Sequence, residues 1–73
     1  MTSPTYRALI TEPLPYVGDG GKPAKVPLGP CLVERRDRHL AEVTWGTNRQ
    51  NTVVVPVLTL AAAASRGHLV LLD

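Results

Sequence analysis

Apolar and polar positions along this chain change period several times, and each change marks an element. Thr5-Tyr6-Arg7-Ala8-Leu9-Ile10-Thr11 is rich in β-branched and aromatic residues and predicts a first strand, preceded by a frayed terminus at Met1 to Pro4. Pro13 and Pro15 stop that strand, because proline cannot donate to a central ladder. From Glu12 to Pro30 the chain holds five prolines and four glycines in nineteen residues, which predicts a long loop with a turn at Gly18-Asp19-Gly20-Gly21. Leu14, Tyr16, Val17, Val26 and Leu28 are spaced so that this loop can fold back over the core as a short, irregular hairpin.

Cys31 to Trp45 reads as the clearest hairpin, with two β-rich runs around Arg36-Asp37-Arg38. Burial decides its register. A two-residue loop at Asp37-Arg38 would set Glu34 opposite Ala41 and mix polar with apolar residues on one face. A three-residue loop at 36–38 pairs Arg35 with His39. It also aligns Cys31, Val33, Ala41, Val43 and Trp45 on one face, leaving Leu32, Glu34, Leu40 and Glu42 on the other. The second register is expected. Gly46 to Asn51 follows as a turn, and Thr52 to Leu58 as a strand apolar on both faces, with Pro56 at an edge or near the strand's end.

Thr59 has the chemistry of an N-cap, Leu60 to Ser65 is rich in alanine, and Gly67 supplies a left-handed stop after Arg66. One to two helical turns are predicted there, and His68 to Leu72 closes the chain as a last strand. The order strand, long loop, hairpin, strand, helical turn, strand resembles that of an SH3-like small barrel, with Gly18 to Lys22 in the place of its long first loop. The predicted fold is therefore mainly β: a small SH3-like β-barrel of about five strands, forming one domain over residues 1–73. The alternative is a small α+β domain in which a longer helix, Leu58 to Arg66, packs on an open sheet.

Composition narrows the environment more than the function. Hydrophobic residues make up 44% of the chain, enough for a folded core, but with one Trp, two Tyr and no Phe that core must be aliphatic. The lone Cys31 forms no disulfide within the chain, the opening residues lack the charged start and apolar run of a signal peptide, and no segment nears the roughly 18 apolar residues of a membrane span. A cytoplasmic protein without membrane contact is expected.

Candidate chemistry is sparse. In the expected register Cys31 lies roughly 13 Å along the strand from the Arg35–His39 pair, beyond reach of a nucleophile–base contact. Cys31, His39 and His68 lack metal-ligand spacing, so no metal is expected. Gly18-Asp19-Gly20-Gly21-Lys22 fails the phosphate-loop pattern, since Pro23 follows the lysine and no helix begins there. Glu34 and Glu42 read as partners of nearby arginines rather than as an acid–base pair. A non-catalytic binding protein without cofactor is expected.

Two surfaces remain. Net charge is only +2, but Arg35, Arg36 and Arg38 crowd one hairpin tip and Arg49 follows on the next turn, a cluster suited to the phosphates of a nucleic acid; a nucleic-acid-binding regulator or accessory factor is the first reading, and an assembly module the alternative. Trp45 either offers a base a stacking surface or continues the apolar face of Ala41 and Val43. The runs Val53 to Leu58 and Leu69 to Leu72 are apolar on both faces, more than a small barrel hides. Val54, Leu58, Leu69 and Leu71 are accordingly expected at an interface with a second copy or a partner protein.

Overall fold

The computed structural model describes residues 5–72, Asp19 by its backbone only; the terminus expected at Met1 to Pro4 lies outside them. Seven strands and one helix follow in the order β1 (Thr5–Ile10), β2 (Leu14–Val17), β3 (Pro23–Val26), β4 (Gly29–Arg35), β5 (Leu40–Trp45), β6 (Asn51–Pro56), α1 (Val57–Ser65) and β7 (Leu69–Leu71), with a single 3₁₀ turn at Asp19–Gly21. Five strands form one antiparallel sheet in the order β6-β5-β4-β1-β7, and β2 and β3 form a separate hairpin. The protein is mainly β as expected, but the sheets do not close into a barrel: β6 and β7 end the larger sheet as two edges.

Period-two alternation sends one side of each strand inward. Ala8 and Ile10 of β1, Cys31 and Val33 of β4, Ala41 and Val43 of β5, Val55 of β6 and Leu69 of β7 form a buried, aliphatic inner face. Two elements cover it. The β2–β3 hairpin contributes Leu14 and Val26, and α1 contributes Leu60 and Ala63. The hairpin anticipated inside the Pro/Gly-rich segment is thus part of the core, although Val17 and Leu28 stay exposed. Tyr16 and Trp45 pack against that core and meet edge to face, with ring centroids 6.4 Å apart. That geometry supports the core reading of Trp45.

The β4–β5 hairpin keeps the expected faces but not the expected register. Arg35 pairs with Ala41, not His39, and the connection is longer than three residues. The cause is local. The Asp37 carboxylate accepts hydrogen bonds from the backbone N–H of His39 (2.7 Å) and Leu40 (2.9 Å), while Arg36 and Asp37 N–H both donate to the Leu40 carbonyl. A shift of two residues preserves strand parity, so the same side chains point inward.

The helix starts earlier than expected. Pro56 ends β6 in extended conformation (φ −61°, ψ 140°), and Val57 and Leu58 belong to α1 rather than to a strand; Thr59 is not the N-cap. Val57 N–H donates to the His39 carbonyl at 2.7 Å, which ties the first turn to the β4–β5 loop. Helix length therefore follows the longer alternative, on an open sheet. Gly67, at φ 77°, ends α1 in the left-handed region as expected, and β7 returns to pair with β1.

Candidate functional site

The connection between β4 and β5 carries three of the arginines singled out from the sequence. Arg35 bends back on its own loop: Nε donates to the Asp37 carbonyl at 3.1 Å and a terminal nitrogen reaches the Arg38 carbonyl at 3.4 Å. Arg36 forms an ion pair with Glu42, and the hydrogen bond to that carboxylate raises Arg36 above its ordinary value. Arg38 is exposed on the same loop, and Tyr6 shares a shallow depression with all three. Arg49 is elsewhere. It sits on the β5–β6 turn with φ 54°, at the opposite end of β5 and hence roughly 17 Å away by strand length. The four arginines are not one cluster.

Asp37 holds that loop together, and its two backbone donors keep the carboxyl below the usual carboxylate range. A depressed folded-state value means that the contribution to stability is present above the unfolded value of about 3.9 and is lost as pH falls through the folded one. Asp37→Ala is therefore expected to lower the urea midpoint at neutral pH, with the deficit shrinking as both proteins are acidified below about pH 4. Urea titrations of the two proteins across that range check this; a deficit that stays constant with pH would assign the loop's stability to something other than the carboxylate.

Of the expected interface residues, three are exposed and one is not. Val54 (51% exposed) lies on edge strand β6, Leu58 (82%) on the first turn of α1, and Leu71 (54%) on edge strand β7. Leu69 is buried: it pairs with Ile10 and faces α1, so it belongs to the core and not to an interface. Two further residues of the surplus apolar run, not among the four expected at the interface, join Leu71. Val70 and Leu72 are both exposed, giving β7 and its end three consecutive exposed apolar residues. On the outer side of the sheet Val70 pairs with Leu9, and Leu9 with Pro30, so an apolar row runs inward from the β7 edge. Leu72 N–H donates to the Arg7 carbonyl, so this end of the chain is pinned to β1 on one side. The other side of β7 has no strand partner among the described residues.

The remaining candidates for chemistry do not converge. Cys31 is buried opposite Trp45, at the far end of β5 from the exposed His39, and burial pushes its thiol up rather than activating it. Among the described residues no three His, Cys, Asp or Glu side chains come together as metal ligands, and no buried polar side-chain atom lacks a partner. No helix among them is long and apolar enough to cross a membrane. Comparison with protein-family models, with curated proteins and with solved structures finds no match to this chain.

Proposed function

We propose that this protein is a non-catalytic assembly module that joins a second copy of itself through the β7 edge. The observation that supports this reading is the run Val70-Leu71-Leu72, exposed along and just past a strand that, among the described residues, is hydrogen-bonded on one side only. Unpaired edges invite pairing unless charge, proline or a covering element blunts them, and β7 carries neither charge nor proline. Two copies related by a two-fold axis would place β7 against β7 and bring the Val70–Leu9–Pro30 rows side by side, a self-complementary contact. A three-residue edge supplies few backbone bonds, so side-chain burial has to contribute most of the affinity.

The strand order β7-β1-β4-β5-β6, with a hairpin inserted after β1 and a helix before β7, supports an SH3-like connectivity whose barrel is left open. The reading as a nucleic-acid binder has less support, because Arg35 is engaged within its own loop, Arg36 is paired with Glu42 of β5 and Arg49 stands apart.

Sedimentation equilibrium over a wide concentration range tests the assembly reading. Wild-type protein is expected to shift from the mass of one chain to that of two, and Leu71→Glu to remain a single chain with an unchanged circular dichroism spectrum. A wild-type mass that stays at one chain throughout would overturn it.

A further inference from the structure

A second surface, away from β7, has a different chemistry. The outer edge of β6 and the edge of β2 that does not pair with β3 face each other across a trough. One part of it, about 330 Å³, lies between Tyr16–Gly18 and Thr52–Val54. The next, about 500 Å³, lies between Pro15, Val17 and Pro23 on one wall and Val54, Pro56 and Thr59 on the other. The two parts share Tyr16, Val17 and Val54 and so adjoin along β6; together they are called the slot. No ladder bond joins β2 to β6 among the described residues.

From this geometry we infer that the slot binds an extended, apolar peptide segment with acidic flanking residues, taken up as an added strand on β6. Three features of the molecule specify that occupant. One wall is β6, an end strand with no further strand partner among the described residues, whose outward backbone groups at Thr52 and Val54 are matched by another extended backbone and not by a compact apolar ligand. The side-chain lining is uncharged, and the exposed Val17 and Val54 stand at its rim, so the central residues of the segment are apolar. Apart from the Arg36–Glu42 ion pair beside Val54, the described charged side chains next to the slot are basic. Lys25 pairs with Pro15 and shares the outward hairpin face with Pro15, Val17 and Pro23, and Lys22 directly precedes Pro23. Acidic flanks complement those lysines. Pro15 and Pro56 line the slot without donors of their own, so the added strand pairs with the Thr52–Val54 stretch of β6.

The probe is a fluorescein-labelled peptide with a central Val-Thr-Val-Thr-Val and two aspartates at each end, titrated by anisotropy into the monomeric Leu71→Glu protein. This background keeps the test separate from self-association at β7. Saturable binding is expected, with new amide-exchange protection in β6. Val54→Gln and Lys25→Glu should each weaken binding roughly tenfold or more, and a lysine-flanked peptide should recover the loss on Lys25→Glu. Methylating alternate backbone nitrogens of the peptide should abolish binding if the segment pairs as a strand. Absence of binding, or binding indifferent to Val54→Gln and to N-methylation, would overturn the inference. So would β6 protection that rises with protein concentration in the absence of peptide, since a second copy would then be the occupant.

Discussion

Ile10→Ala should cost about 2–5 kcal/mol, the range for deleting a buried branched side chain. Ile10, 2% exposed, ends β1 next to the edge strand, paired with Gly29 of β4 on one side and Leu69 of β7 on the other. At the usual 0.05–0.15 kcal/mol per residue, a chain of 73 residues is stable by roughly 4–11 kcal/mol, so this one change removes a large part of the total. Urea unfolding is expected to show a lower midpoint with the same slope. Leu58→Ala, at an equally apolar but 82% exposed position, should leave the midpoint almost unmoved. A loss below about 1 kcal/mol for Ile10→Ala would mean that the core repacks around the gap.

That contrast between two apolar residues also marks where the sequence can be read and where it cannot. Alternation identified the inner face of the β4–β5 hairpin, because parity survives the two-residue change of register imposed by the Asp37 carboxylate. The register itself was not legible, since the bonds that lengthen the loop come from one side chain folding onto two backbone amides. The run from Val57 to Leu58 looks like strand by composition, yet Pro56 and the bond from Val57 to the His39 carbonyl start the helix there. In an all-apolar run such as Leu69 to Leu72, no pattern tells which residue turns inward. Pairing with Ile10 beneath α1 selects Leu69 and exposes its neighbours. Likewise, Arg49 is only eleven positions from Arg38, but the length of β5 separates their loops.

Leu14→Ala is expected to have a comparable effect on stability, about 2–5 kcal/mol, and a more local consequence. The β2–β3 hairpin has no ladder to the main sheet among the described residues. It is held through the buried side chains of Leu14 and Val26 and by the contact of Tyr16 with Trp45. Elements attached through side chains alone open more readily than those stitched into a sheet. Truncating Leu14, which is 3% exposed, should accelerate amide exchange in β2 and β3 well beyond that in β4 and β5, whereas Val17→Ala, at a 75% exposed position, should change neither exchange nor stability. Uniform acceleration across all strands would show instead that hairpin and sheet unfold as one unit. Because β2 also lines the slot beside β6, Leu14→Ala placed in the Leu71→Glu background should lose the anisotropy signal of the peptide, while Leu14→Ala alone should keep the two-chain mass expected for the β7 contact. Loss of both together would mean that the hairpin supports the entire sheet, not only the wall it builds.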